Sequence, residues 1–178
     1  MLQLETLKLL ADGRAHSEKE LIKSLGLPAP MLSKYIHKLR QLGIKVESSS
    51  HQHYQLCCPI DFLDVQKISN NLKVSTADRI HRLEVFPALD STNTYLLNAP
   101  IPDPSQMTVC LAEYQSAGRG RHGKKWNVPF GGGLCLSVGW LFNELPQNIS
   151  ALSLSVAVVA RRVIGELTGC YPLVKWPN

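Results

Sequence analysis

Gly118-Arg119-Gly120-Arg121-His122-Gly123 has the spelling G-x-G-x-x-G and follows a predicted strand, Thr108 to Tyr114. Those two facts alone point to a dinucleotide-binding βαβ unit. That motif works only when the last glycine opens a helix whose N-terminus meets a pyrophosphate. Here the chain continues Lys124-Lys125-Trp126-Asn127-Val128-Pro129-Phe130-Gly131-Gly132-Gly133. A proline and three glycines rule out a long helix. No Gly-Lys-Ser/Thr follows, so the stretch is not a P-loop either. Ser116 to Gly133 is therefore predicted to be a flexible loop with four cations, Arg119, Arg121, Lys124 and Lys125. Glycines let backbone amides come close to an anion, and arginines bond phosphate or carboxylate in pairs. Such a loop repels itself when empty and orders over a negative ligand. The alternative is an ordinary exposed basic loop. Its length and glycine density oppose that, since structureless loops beyond about 12–15 residues are usually functional or disordered.

On either side of this loop, strands alternate with helices. Leu83 to Leu89, Thr108 to Tyr114, Leu134 to Phe142 and Leu173 to Trp176 read as strands. Thr92 to Leu97 starts a helix and Ile149 to Leu167 is a long one. The pattern predicts an α/β or α+β domain with a mixed sheet. Asp90-Ser91-Thr92-Asn93 falls at a strand-to-helix junction. These are ordinary N-cap residues. Small polar side chains at a strand end can also bind a polar heterocycle through donor and acceptor pairs.

The first 60 residues have another character. Leu2, Leu4, Leu7, Leu9 and Leu10 form one side of a short helix that Asp12-Gly13 ends. Ser17 and Glu20 have capping-box spacing ahead of Leu21, Ile22 and Leu25, and Gly26 is the stop. Pro28 and Pro30 open a third helix with Leu32, Tyr35, Ile36 and Leu39 as its stripe, closed by Gly43. Ile44 to Glu47 and His53 to Leu56 alternate as two short strands around Ser48 to Gln52. Three helices and a two-stranded ribbon predict a winged helix-turn-helix over residues 1–60, whose third helix would enter the major groove. Lys34, His37, Lys38 and Arg40 lie on the polar side of that helix and could reach phosphates, with a salt-dependent affinity. Winged helices also serve as protein-interaction modules, and polar helix faces are normally polar. Asp61 to Leu72 reads as a linker helix, within a connection over 61–82 that leads to the second domain over 83–178.

Composition bounds the rest. The chain has 178 residues, 44% apolar and 19% charged, enough for a core and against disorder. Of its net charge of +5, the front 60 residues hold eight cations against five carboxylates, compatible with nucleic-acid contact. The apolar stretches Leu134 to Phe142 and Ala151 to Ala160 fall short of the roughly 20 residues of a bilayer span, so no membrane partner is expected. Met1-Leu2-Gln3-Leu4-Glu5 does not read as a secretory signal. Five cysteines with no Cys-x-x-Cys pair predict free thiols in a reducing cytoplasm, and Cys110 and Cys135 read as strand-core residues rather than nucleophiles or metal ligands.

Three segments carry a resemblance. They are Asp90-Ser91-Thr92-Asn93, then Glu113-Tyr114-Gln115-Ser116-Ala117-Gly118-Arg119-Gly120-Arg121-His122-Gly123-Lys124-Lys125-Trp126, and finally Val174-Lys175-Trp176-Pro177-Asn178. With a winged helix in front, the chain resembles the bacterial bifunctional biotin–protein ligase and biotin-operon repressor family. The resemblance implies an α+β fold: a winged helix-turn-helix followed by an incomplete mixed-sheet catalytic domain of the biotin/lipoate-ligase kind. It implies that biotin and ATP, with Mg²⁺, give biotinyl-5′-AMP, and that the biotinyl group passes to a lysine of a biotin carboxyl carrier protein. The adenylate would also act as corepressor, favouring a homodimer that binds operator DNA. By the same resemblance Ser91, Thr92, Asn93 and Gln115 hold the ureido ring. Gly118, Arg119, Gly120 and Arg121 close over the carboxylate and phosphate, and Trp126 orders the loop around adenine. Lys175 and Asn178 fall near the nucleotide phosphates, with Arg119, Arg121 and Lys175 as the catalytic cations.

The chain also departs from the family pattern. Family members continue well past the Asn178 position, which implies a truncated catalytic domain and leaves a non-enzymatic biotin-sensing DNA-binding protein as the alternative. Pro28-Ala29 stands where the family often has Ser-Arg. Ser50-His51-Gln52-His53 stands where its wing has Gly-Lys-Gly, implying weaker specific operator recognition. A lipoate-ligase-like transferase is a third reading, opposed by the arginine loop.

Overall fold

Ser17 fixes where the first well-capped helix begins. Its side chain accepts from the Glu20 N–H at 3.2 Å, and the Glu20 carboxylate accepts from the Ser17 N–H at 3.0 Å, so two orphan amides are satisfied reciprocally. A computed structural model describes residues 2–49, 52–120 and 123–175. Ser50 and His51 of the expected wing tip, Arg121 and His122 of the basic loop, and Trp176, Pro177 and Asn178 lie outside the described residues. The chain divides into two compact units, residues 1–141 and 142–178.

The first unit begins with α1 (Leu2–Leu10), β1 (His16–Ser17), α2 (Glu18–Leu25), α3 (Ala29–Gln41), β2 (Val46–Ser48) and β3 (His53–Leu56). Gly26 ends α2 in the left-handed region at φ 63°, and Pro28 caps α3 with Pro30 in its first turn. The strands form an antiparallel sheet in the order β1-β3-β2, with Ser17 opposite His53 and Val46 opposite Leu56. The two-residue β1 is the addition to the expected ribbon. Apolar stripes of the three helices meet the sheet in one core of Leu7, Leu10, Leu21, Leu32, Ile36 and Leu39, with Ile44, Val46 and Leu56.

Asp64 then caps α4 (Val65–Asn71), its Oδ1 accepting from the N–H groups of Gln66 and Lys67 at 2.8 and 2.9 Å. The expected helix from Asp61 therefore starts only at Val65, because the cap residue itself must be extended. After α5 (Val74–Ala77) come β4 (Ile80–Phe86), α6 (Thr92–Asn98), β5 (Met107–Ala112) and β6 (Cys135–Trp140). β5 pairs in parallel with β4 and antiparallel with β6, giving a mixed sheet in the order β4-β5-β6. Central β5 is the most buried strand, with Thr108 to Ala112 all inside. The protein is thus a mixed α+β molecule with two small sheets.

The second unit consists of a 3₁₀ turn (Ile149–Ala151) and α7 (Leu152–Thr168). Gly169 ends α7 at φ 71°, and the chain folds back so that Tyr171 lies against Gly165, where any side chain would overlap the ring. Arg161 fixes this turn, donating to the Pro172 carbonyl at 3.1 Å with its guanidinium 5.2 Å from the Tyr171 ring centre. The expected strand Leu173 to Trp176 is not formed over Leu173, Val174 and Lys175, and Trp176 lies outside the described residues. Residues 171–175 have no regular structure, and a strand exists only through a neighbour's ladder, which none of the described strands supplies here. No helix among the described residues is long and apolar enough to cross a membrane.

Leu32 is fully buried at the centre of the first core, whereas the Ser17 cap is partly exposed. Leu32→Ala is expected to lower unfolding stability by about 2–5 kcal/mol, and Ser17→Ala by about 1 kcal/mol. Urea denaturation followed by far-UV circular dichroism ranks the two, and equal losses would contradict this placement of the core.

Candidate functional site

α6 begins at a polar turn held from both sides. Ser91 is its N-cap, with Oγ accepting from the Thr94 N–H at 3.4 Å, while the Asp90 carboxylate accepts from the Ser91 N–H at 2.6 Å. Thr92, in the first turn, donates both its N–H and its hydroxyl to Gln115 Oε1, at 2.8 and 3.1 Å. Its hydroxyl also lies 2.8 Å from Ser137 Oγ on β6. Ser91 and Thr92 are only 2% and 3% exposed, and Asn93 is exposed. Three elements therefore converge on one buried polar cluster: the α6 N-terminus, the segment after β5, and β6. Ser137 is the member the sequence reading missed. Its one signal is period-2 alternation, which sets Cys135, Ser137 and Gly139 on the face that α6 covers, with Gly139 beneath Leu96.

The basic loop springs from the edge of this cluster. Ser116 and Ala117 donate their N–H groups to the Leu89 and Asp90 carbonyls, both at 2.9 Å, and stitch the foot of the loop to the turn. Gly118 and Trp126 then face each other, with the Trp126 N–H donating to the Gly118 carbonyl at 2.8 Å. The Gly120 N–H donates to the Lys124 carbonyl at 2.7 Å, and Arg119 pairs antiparallel with Lys125. Within the expected loop, residues 118–120 and 124–126 thus face each other as two short antiparallel arms. Glycine is required at 118 because a Cβ there would overlap the Trp126 carbonyl oxygen and press on the Gln115 amide. Gly118 is buried, Arg119 exposed, Gly120 half-buried, and Trp126 59% exposed.

Ser91, Thr92, Gln115, Gly118, Arg119, Gly120 and Trp126 are therefore brought together at one end of the mixed sheet. Asn93 presents its side chain outward from the same turn. Lys175 lies in the second unit, and Arg121 and Asn178 lie outside the described residues. No cluster of three or more His, Cys, Asp or Glu side chains suited to a metal occurs among the described residues.

Two buried thiols border the cluster. Burial pushes the Cys110 thiol up to about 11. Burial also raises Cys135, against a hydrogen bond with Gln115 that lowers it. Both are protonated at neutral pH, which suits packing rather than nucleophilic attack.

Glu113, two residues before Gln115, is 5% exposed, and its Oε1 accepts from the Leu63 N–H at 2.5 Å. Burial pushes its carboxyl above the ordinary range, opposed by the Leu63 hydrogen bond, and the Asp61 charge adds to the rise. This carboxylate ties the connecting segment before α4 to the end of the central strand.

On α3, Lys34, His37 and Lys38 are exposed. His37 Nε2 lies 3.0 Å from the Gln41 amide nitrogen. Arg40 is engaged differently. Its Nε and Nη2 donate to the Val46 carbonyl at 3.1 and 2.9 Å, and Nη2 also donates to Ser48 Oγ at 2.5 Å, fastening β2 to the helix.

A profile of the biotin/lipoate A/B protein ligase family matches residues 85–178. A protein named bifunctional ligase/repressor BirA from Salmonella typhimurium is 38% identical over 175 residues, 98% of this chain and 52% of that protein. The protein of the same name from Escherichia coli is 37% identical over the same shares. A biotin–[acetyl-CoA-carboxylase] ligase from Mycobacterium tuberculosis is 31% identical over 121 residues, 65% of this chain and 45% of that protein. The chain spans about half the length of the curated relatives it matches.

The raised carboxyl of Glu113 carries a pH signature. A carboxyl whose folded-state pKa lies above its unfolded value contributes most below the unfolded value and loses that contribution as pH rises through the folded one. Glu113→Gln, which keeps an acceptor for Leu63 and removes the charge, is expected to gain stability relative to the parent between pH 4 and pH 7. Urea midpoints of both proteins across that range check it; a constant difference would mean that the buried charge is not felt.

Proposed function

The chain belongs to the biotin/lipoate A/B protein ligase family, and from that premise we propose that it activates biotin with ATP and passes the biotinyl group to a lysine of a carrier protein. A biotin carboxylate oxygen attacks the α-phosphorus of ATP, and the bond to pyrophosphate breaks, leaving biotinyl-5′-AMP. The lysine amine of a biotin carboxyl carrier protein then attacks the acyl carbon, and AMP leaves with the bonding pair. The observation that carries this reading is the convergence of Thr92, Gln115 and Ser137 at the foot of a basic hairpin. A ureido ring presents one acceptor and two donors, and a carboxamide flanked by hydroxyls offers matching partners. Ser91 and Asn93 complete that grip in this reading.

The charges suit the chemistry. A carboxylate approaching a phosphate is resisted by like charge, and fixed cations at that point stabilise the crowded transition state. We assign Arg119 and Arg121 to that role, and Lys175 and Asn178 to the nucleotide phosphates. Trp126 lies against adenine, and the closed hairpin keeps water from the mixed anhydride. Mg²⁺ would accompany the nucleotide phosphates, and no role assigned to a side chain depends on the ion.

The front module is proposed as a winged helix-turn-helix over residues 1–60, joined through residues 61–82 to the ligase domain over 83–178. Three helices and an antiparallel sheet ordered β1-β3-β2 support it. The name ligase/repressor carried by two relatives supports an operator as its partner. Lys34, His37, Lys38 and Arg40 would meet phosphates, with Arg40 also held to Val46 and Ser48 of β2. The adenylate acts as corepressor for a homodimer on the DNA, in the cytoplasm.

Calorimetric titration with biotin and with a non-hydrolysable biotinyl-adenylate analogue tests the ligand half. Thr92→Val is expected to weaken both by about tenfold or more. Arg121→Ala is expected to weaken the analogue by about tenfold or more while sparing biotin; equal losses would remove the hairpin from the site. For the DNA half, Lys34→Ala combined with Lys38→Ala is expected to lower duplex affinity in a gel-shift titration and leave analogue binding unchanged. A lower affinity for both ligands would point to damage of the fold instead.

A further inference from the structure

α6 has only seven residues, Thr92–Asn98, and a helix so short has no stability of its own in water. Its place over the mixed sheet is set by what its side chains grip. On the β6 side, the Thr92 hydroxyl lies 2.8 Å from Ser137 Oγ, and Leu96 lies over Gly139. On the β4 side, the Tyr95 phenol donates to Glu84 Oε1 at 3.0 Å, and its ring packs on Phe86 with centroids 5.0 Å apart. Thr92 and Tyr95 are three residues apart, so they leave the helix as neighbours on one face.

The two anchors on the sheet belong to one row. Glu84 stands opposite Cys110 in the β4–β5 ladder, and Cys110 stands opposite Ser137 in the β5–β6 ladder. The ends of the row are about 10 Å apart, two strand spacings. One end takes the phenol of α6, the other its threonine hydroxyl, and the buried Cys110 fills the middle. Arg82 Nε stands 3.7 Å from the second Glu84 oxygen, so the carboxylate is approached from its own strand as well. The bond to Glu84, and then burial, raise the Tyr95 phenol above its ordinary range, so it keeps its proton and remains a donor at neutral pH. A helix held at both edge strands cannot roll. An atom about 4 Å from a helix axis moves about 1 Å when the helix turns by about 15°, and a displacement of that size at a binding group is costly.

We propose that Tyr95 and Glu84 are positioning residues for the ureido site. They fix the rotation of α6 about its axis, and with it the placement of the Thr92 hydroxyl against Gln115 and Ser137. Both act through Thr92 rather than on the ligand. Their effect on binding rests on the proposed biotin reading; the grip on α6 does not.

Calorimetric titration of the whole chain with biotin reads the effect on the site. Tyr95→Phe keeps the ring against Phe86 and removes only the phenol. It is expected to weaken biotin about fivefold or more. Glu84→Ala is expected to do the same, and Glu84→Gln, which keeps an acceptor, to retain most of the affinity. In the Thr92→Val background, where the hydroxyl is already gone, Tyr95→Phe is expected to cost less than about twofold, because the two side chains act as one unit. Parent-like affinity in Tyr95→Phe, where Thr92→Val does weaken biotin, overturns the proposal. So does an equal loss in both backgrounds, which a general loosening of the fold would give. Should Tyr95→Phe not fold, Glu84→Ala is read the same way in both backgrounds.

Amide exchange followed by NMR without ligand tests the grip alone. The Thr92 N–H, bonded to Gln115 Oε1, is expected to exchange about fivefold faster in Tyr95→Phe, with the Leu111 amide of the central strand unchanged. An unchanged Thr92 rate refutes the grip whatever biotin does, as does equal acceleration at Thr92 and Leu111. If Thr92 alone speeds while Thr92→Val binds biotin like the parent, the grip stands and the biotin reading is the part that fails.

Discussion

One carboxamide oxygen holds one end of the mixed sheet together. Gln115 Oε1 accepts both the N–H and the hydroxyl of Thr92, and the same hydroxyl reaches Ser137. That arrangement joins the start of α6, the end of the central strand and the edge strand in a place where an unpaired polar atom would be costly. It also fixes where the hairpin begins, since Ser116 and Ala117 are bonded to Leu89 and Asp90 on the adjoining turn. Without Gln115 in this position, the polar turn and the basic hairpin would be two unrelated surface features.

The front of the chain was legible because its signals are local. Ser17 with Glu20, Pro28 with Pro30, and the glycines at 26 and 43 mark helix ends within a few residues, and the leucine spacing between them can belong only to helices. β1 was not legible: His16-Ser17 has no alternation and is a strand only because β3 runs beside it. Asp61 and Asp64 are equally good caps on paper, and the hydrogen bonds to Gln66 and Lys67 choose the second.

At the site, the G-x-G-x-x-G spelling was rightly separated from a nucleotide-binding helix, because Pro129 and the glycines after it forbid one. What the sequence could not tell is that the run closes on itself. That depends on the absent side chain of Gly118 facing the Trp126 carbonyl, a contact between residues that nothing in their spelling pairs. Ser137 stayed hidden as one hydroxyl in an apolar strand. The place of Phe130 in the N-terminal core stayed hidden because its partners come from α1, α3 and the strands that follow them, far earlier in the chain. Residues whose roles are set by distant neighbours are the ones a linear reading loses.

Arg40 adds a question of place, in the language of polyelectrolytes. A duplex is wrapped in condensed small cations, and binding gains entropy when a protein's charge replaces them one by one. Counting basic residues along α3 would credit Arg40 with one such exchange. Its bonds to Val46 and Ser48 go to neutral oxygens, so they settle where beside β2 that charge stands without cancelling it.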